Sequence, residues 1–165
     1  MTTAPAAKAF DLTTPGGRAK AYADYLWNDH AYLRLGFQNA HWISDELVRT
    51  NQPWPHQLAA WKDKGVRTIV NLRGGFDASF HALEKDACER LGLKLVDFTI
   101  TSREVPSRER VLGAKRLFET LEYPALMHCK SGADRAGVMS VLYAHFRLGL
   151  SLREAMRELG FRHLH

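Results

Sequence analysis

The part of this chain that most restricts its fold runs from Pro124 to Leu148. It begins with a short apolar run, PALMH, passes through a small-residue segment holding Cys129 and Arg135, and enters a second apolar run at Ala136. Ala136 to Leu148 is apolar nearly all round, and a helix of that kind has to be covered on every side. Pro124 to His128 reads as a short buried strand leading into it. A central buried helix and a buried strand demand further layers from the rest of the chain.

Those layers are legible upstream. His41 to Ile43 and Glu46 to Thr50 read as two short strands around a turn at Ser44-Asp45. Pro53 to Lys64 reads as a helix stopped by Gly65, with Leu58 and Trp61 inward and Trp54 on the same face. Val66 to Leu72, VRTIVNL, is a β-branched run and the strongest strand signal in the chain. Gly74-Gly75 turns it, and Asp77 is placed to cap a helix carrying Phe80, Leu83, Ala87 and Leu91 at helical spacing. Leu93 to Ile100 is a further strand, Pro106 suits the first position of a helix to about Leu121, and Ser151 with Glu154 forms a capping box for a last helix stopped at Gly160. Strands joined by crossover helices predict an α/β fold with a central, mostly parallel sheet flanked by helices on both faces.

A length of 165 residues predicts one domain. Residues 1–17 are rich in Thr, Ala, Pro and Gly and read as a flexible tail, leaving 18–165 as the domain. Arg18 to Leu35 reads as an extra N-terminal helix with Tyr22, Tyr25, Leu26 and Leu33 on one side and Gly36 at its end. No internal repeat is present.

Composition narrows the function classes. Two cysteines exclude a disulfide scaffold and fit a reducing compartment. No apolar stretch is long enough to span a bilayer, and the opening residues lack an apolar signal core, so the expectation is a cytoplasmic protein with no integral membrane segment. The net charge of +5, with 15 arginines among 23 basic residues, favours anionic partners. The basic residues are scattered, without an aromatic-interleaved stripe, which argues against nucleic acid.

The chemistry lies in His128-Cys129-Lys130-Ser131-Gly132-Ala133-Asp134-Arg135. A cysteine at a strand end facing a helix N-terminus sits among unpaired backbone amides. Thiols in such surroundings titrate at roughly 3.5–7.5 instead of about 8.5. Ser131, Gly132 and Ala133 are small enough for the loop to curl into an anion nest. Arg135 adds a planar fork suited to two phosphate oxygens. The expected product is a cup for a tetrahedral dianion with Cys129 at its base, able to form a phosphocysteine that water then hydrolyses.

HCKSGADRAG resembles the His-Cys-x5-Arg signature of the cysteine-dependent protein tyrosine and dual-specificity phosphatases. Upstream, RTNQPWPHQLAAWKDKGVRTIVNLRGG is similar to the opening of atypical bacterial and fungal-type members, in which a short strand, an Asn-Gln-Pro or Ala-Gln-Pro turn, a helix and an Ile-Asn-Leu-Arg strand follow in this order. The resemblance covers about residues 40 to 150. It implies Cys129 as nucleophile, Arg135 as phosphate binder and transition-state stabiliser, and the amides of Lys130, Ser131, Gly132, Ala133, Asp134 and Arg135 as oxygen ligands. His128 is implied to fix the loop. Neither a metal nor another cofactor is implied.

Two departures stand out. The family's usual acid is an Asp on an upstream loop, and Thr101 to Pro106 holds none. Asp134 ranks first as general acid, ahead of Asp97 and then Glu104. Ala136 replaces the family's usual Ser or Thr after the Arg, which predicts slow breakdown of the phosphoenzyme unless Ser131 or another donor compensates.

The substrate classes in view are a phosphorylated protein, a small phosphate ester such as a sugar or inositol phosphate, and a phospholipid. Lys130, Arg103 and Arg108 would suit a second phosphate if they face the cup. The alternatives are a phosphate-binding module with weak turnover and a rhodanese-type sulfurtransferase. Cys88 reads as a core residue, His163 and His165 as part of a frayed end, and Arg73 as either structural or facing the cup.

Overall fold

Five strands, β1 (His41–Ser44), β2 (Leu47–Thr50), β3 (Thr68–Asn71), β4 (Lys94–Asp97) and β5 (Ala125–His128), form one sheet in the order β1-β2-β5-β3-β4. The structure is a computed structural model and describes residues 10–160. β1 pairs antiparallel with β2, and every other pairing is parallel. The sheet is therefore mixed and mostly parallel, as the strand and helix alternation predicts. Its register sets Thr50, His128, Asn71 and Asp97 in one row across the carboxyl ends of the parallel strands. That edge is where α/β sheets bind ligands.

The parallel strands are apolar on consecutive residues because both faces of the sheet are covered. Leu47, Val70 and Met127 face one layer, built by α4 (Arg108–Thr120) and α5 (Asp134–Phe146) through Ala114, Phe118, Met139 and Tyr143. Val48, Ile69 and Leu126 face the other, built by α2 (Pro55–Asp63) and α3 (Ser79–Leu91) through Leu58, Trp61, Ala87 and Cys88. Cys129 belongs to the first layer and Cys88 to the second, so the sheet separates the two thiols.

Several element ends differ from the sequence expectations. The N-terminal helix α1 (Pro15–Trp27) starts before Arg18, because Thr14 Oγ1 accepts from the Gly17 amide at 3.1 Å and Pro15 opens the first turn. Residues 15–17 of the expected tail are thus helical, whereas 1–9 lie outside the described residues. The helix stops at Trp27 because His30 takes a left-handed conformation (φ 56°) before a 3-10 turn over Ala31–Arg34. Leu33, expected on the inner face, is 67% exposed as a result.

Gly74 and Gly75, at φ 71° and 75°, carry the chain past Asp77, so Ala78 occupies the cap of α3 and Asp77 stays exposed. Ser107, not Pro106, ends the loop before α4: its Oγ accepts from the Arg110 amide at 3.2 Å. Trp54 precedes α2 and meets Tyr25 edge-on at 4.7 Å, in a different cluster from Trp61. The Ser151–Glu154 capping box is formed and opens α6 (Leu152–Ala155). His163 and His165 lie outside the described residues. Among those described, no helix is long and apolar enough to cross a membrane.

The N-terminal segment is fastened by packing and by charge. Ala21 and Tyr25 of α1 bury against Trp54 and Leu83. Beyond the helix, Asp29 is 8% exposed and pairs with Arg34 and Arg73, whose Nη2 lies 2.6 Å from Oδ1. Burial alone would raise the Asp29 carboxyl, but the Arg73 hydrogen bond and the charges of Arg73, Arg34 and Lys130 outweigh it and hold it below the ordinary carboxylate value. With the folded value depressed, its stabilising contribution is complete above about pH 4 and is lost as pH falls through the lower folded value. Urea midpoints measured down an acid series should therefore decline, and should decline less steeply in Asp29→Asn; parallel declines would remove Asp29 from the account.

Candidate active site

Cys129 follows β5 directly and is 1% exposed. The five residues after it turn from the sheet edge into α5, and the backbone of that turn is held from outside. The Gln52 amide donates to Lys130 O at 3.3 Å, and Asn39 Nδ2 to Ser131 O at 3.1 Å. Arg49 Nη2 donates to Gly132 O at 2.9 Å and to Ala133 O at 3.0 Å, while its Nη1 reaches Glu158 O at 2.7 Å. Four consecutive carbonyls are thus turned outward from the concave side of the loop. In a planar trans peptide the following N–H points the opposite way. The amides of Ser131, Gly132, Ala133 and Asp134 consequently face the concave side, where the Gly132 amide donates to Cys129 Sγ at 3.2 Å. Backbone amides arranged so, at the start of a 13-residue helix, make an anion-binding concavity.

Gly132 is the pivot of the curl. Its φ is +77°, and a Cβ there would lie 2.7 Å from the Asn51 amide nitrogen and 2.8 Å from the Thr50 carbonyl carbon. The loop and the end of β2 touch backbone to backbone, so neither can yield cheaply.

His128 is fully buried, and its Nε2 sits 2.6 Å from Oε1 of the equally buried Glu84, which also accepts from Gln52 Nε2 at 3.0 Å. The imidazole implied to fix the loop thus lies against the carboxylate of an α3 residue. Arg135, in the first turn of α5, is half-buried and has no carboxylate partner among the described residues. Lys130 is turned toward the N-terminal segment, with Nζ 3.5 Å from Asp29 Oδ1 and its side chain 43% exposed. Ser131 is exposed, and its Oγ accepts from the Ala133 amide at 3.4 Å.

Of the three carboxylates ranked as general acids, Asp134 lies nearest in sequence to the concavity, exposed in the first turn of α5. Asp97 ends β4 and is engaged by His81 at 3.0 Å and by Asn71 Nδ2 at 2.8 Å. It shares a cavity with Cys88 and Leu95 on the α2–α3 side, the face away from Cys129. Glu104 and Arg103 are exposed on the loop between β4 and α4, and Arg108 is exposed at the start of α4. Ala136 is fully buried in the α4–α5 layer, so no hydroxyl stands at that position. Among the described residues no group of His, Cys, Asp and Glu has the arrangement of a metal site.

Arg73, left undecided by sequence, is committed to the frame. It holds Asp29, donates to Gln52 Oε1 at 3.1 Å and lies over the Phe80 ring at 3.6 Å. Sequence reasoning missed Arg49, Asn39, Gln52, Asp29 and Glu84. Arg49 had a usable signal, a charge inside an otherwise apolar strand that pairs on both sides. Asp29 and Asn39 lie in irregular segments and gave none.

The family comparison gives the class, a dual-specificity-like phosphatase. The family described as a DSP-PTPase phosphatase fused to NAD+ kinase matches residues 43–162, and the chain belongs to that family. Tk-PTP in its active form shares 25% identity over 73% of this chain and 82% of its own, with a TM-score of 0.62. TpbA of P. aeruginosa aligns at 20% identity over 74% of this chain and 72% of its own, TM-score 0.58. PTPMT1 aligns at 17% over 73% and 80%, TM-score 0.60. The last two comparisons show a shared fold. A comparison with curated proteins found no significant match.

Gly132→Ala tests the loop directly. It should cost about 1–3 kcal/mol in urea unfolding and weaken vanadate binding about tenfold by tilting amides off the oxyanion positions. An unchanged midpoint with unchanged vanadate affinity would mean the loop and β2 are not in rigid contact.

Proposed function

We propose that the chain hydrolyses phosphate monoesters through a phosphocysteine at Cys129. The observation that carries this reading is the run of four carbonyls held off the concave side, which leaves the amides that follow them on it, with that of Gly132 donating to the cysteine sulfur. The substrate phosphate sits on the amides of Ser131, Gly132, Ala133 and Asp134, with the Arg135 guanidinium across two of its oxygens. The Cys129 thiolate attacks phosphorus in line, the P–O ester bond breaks, and Asp134 passes its proton to the departing oxygen. Water then attacks the phosphocysteine while Asp134 takes up the proton, releasing inorganic phosphate and restoring the thiolate. Asp134 is preferred to Asp97, whose side chain lies with Leu95 on the α2–α3 side of the sheet, away from Cys129. A cytoplasmic setting keeps the two thiols reduced.

The substrate is a phosphorylated protein or a small phosphate ester, including a phospholipid headgroup. TpbA has been solved with phosphotyrosine as a Cys-to-Ser variant, and the family description joins its phosphatase to an NAD+ kinase. A phosphate-release panel should therefore include a phosphotyrosine peptide, phosphoinositides, sugar phosphates and phosphorylated pyridine nucleotides. Wild type should turn over at least one, and Cys129→Ser none. A substrate hydrolysed equally by both proteins would overturn the mechanism.

The buried methyl of Ala136 also has a kinetic consequence. With no hydroxyl to assist the sulfur in leaving, the second step limits turnover, and a burst of leaving group precedes a slow steady rate. Ala136→Ser should raise the steady rate and shrink the burst; an unchanged rate would show that another donor serves that step.

A further inference from the structure

We propose that Asp29 is a positioning residue for the Cys129 loop, acting on both chain neighbours of the cysteine. One arm is direct: Asp29 Oδ1 pairs with Lys130 Nζ at 3.5 Å. The other arm runs through side chains buried at the sheet edge. Arg73 holds Asp29 through contacts of 2.6 and 3.1 Å, and its Nη1 also donates to Gln52 Oε1 at 3.1 Å. Gln52 Nε2 donates to Glu84 Oε1 at 3.0 Å, and that oxygen lies 2.6 Å from His128 Nε2. Gln52 closes the circuit with its backbone amide, which donates to Lys130 O at 3.3 Å. Residues 128 and 130 therefore both touch one network, and Cys129 is the residue between them.

Asp29 organises this network because its carboxylate is shared by three cations, Arg34, Arg73 and Lys130. It is itself buried and immobilised, so the geometry of the arms is fixed by the fold and not by solvent. It also stands outside residues 43–162, the span of the family match. The N-terminal segment thus completes the frame of the catalytic loop from outside the family's common domain.

The consequence for rate differs from that of a simple surface charge. Removing the carboxylate leaves three cations without their shared anion, Lys130 of the loop among them, and by Coulomb attraction alone this would tighten binding of an anionic substrate and leave kcat untouched. Loss of positioning acts the other way, because small displacements of a nucleophile are costly in the chemical step.

The inference about turnover rests on the phosphatase reading, so the test carries a readout that does not. Wild type, Asp29→Asn and Asp29→Glu are compared with p-nitrophenyl phosphate, and Cys129 alkylation by iodoacetamide is followed across pH by mass spectrometry. Asp29→Asn should lower kcat about tenfold with KM changed by less than about twofold, and should slow alkylation and displace its pH profile. Asp29→Glu, which keeps the charge on a longer arm, should fall between the two proteins on both readouts. If Asp29→Asn does not fold, the Glu variant decides alone, and wild-type values for it overturn the proposal. A lower melting temperature with unchanged kcat and alkylation profile would likewise overturn it, reducing Asp29 to a clamp for α1. If wild type itself hydrolyses nothing, the phosphatase reading fails, and the alkylation profiles still decide whether Asp29 positions the loop.

Discussion

The outward pull on the loop carbonyls is the constraint on which the rest of the structure depends. A chain turning from a strand into a helix has no intrinsic reason to aim successive amides at one point. Here Arg49, buried to 0% exposure in the middle of the sheet, takes two adjacent carbonyls with one nitrogen and a third, from Glu158, with another. Burying a guanidinium is costly unless its donors are used. The carbonyls of the loop and of the C-terminal turn supply that use, so the stability of Arg49 and the shape of the concavity are the same interaction seen from two sides. Gly132 makes it sterically admissible, since only a residue without a Cβ can lie so close to the end of β2.

The parallel sheet contributes by bringing distant segments to one edge. Thr50, His128, Asn71 and Asp97 share a register row, so the chain leaves β2, β5, β3 and β4 side by side. The residues that follow, Gln52, Cys129, Arg73 and the loop to α4, are gathered there from positions 21 to 77 residues apart. The same geometry divides the candidates. Alternation along β4 puts the side chain of Asp97 with Leu95 on the α2–α3 face, whereas Cys129 belongs to the α4–α5 face. Nearness in the linear chain and membership of one edge row do not suffice; the side chain has to emerge on the correct face.

Much of this was readable beforehand. The two apolar runs around Cys129 and Arg135 declared a buried strand and a buried helix, and both are present as β5 and α5. The β-branched run VRTIVNL contains β3, and the five expected strands all exist. The errors sit where local signals competed. Pro15 and Thr14 out-compete the tail-like composition of the first residues, because a capped start offsets the poor helix propensity of Gly16 and Gly17. Leu33 fits a helical period that His30 interrupts by adopting positive φ, a departure no periodicity count can register. Asp77 had the chemistry of a cap but not its place, because the glycine pair before it lengthened the turn.

By itself the sequence determined the alternation of elements, the burial of the strand and helix on either side of Cys129, and the spacing of Cys129 from Arg135, because these follow from hydrophobic period and from neighbours along the chain. Only the tertiary structure decided which way the loop's amides point, that Arg49 and Asn39 turn its carbonyls outward, that Asp97 faces away, and that Asp29 reaches Lys130. Each of those is a contact between segments remote in sequence, set by sheet order and register, and a one-dimensional pattern carries no record of which remote segment will lie beside it.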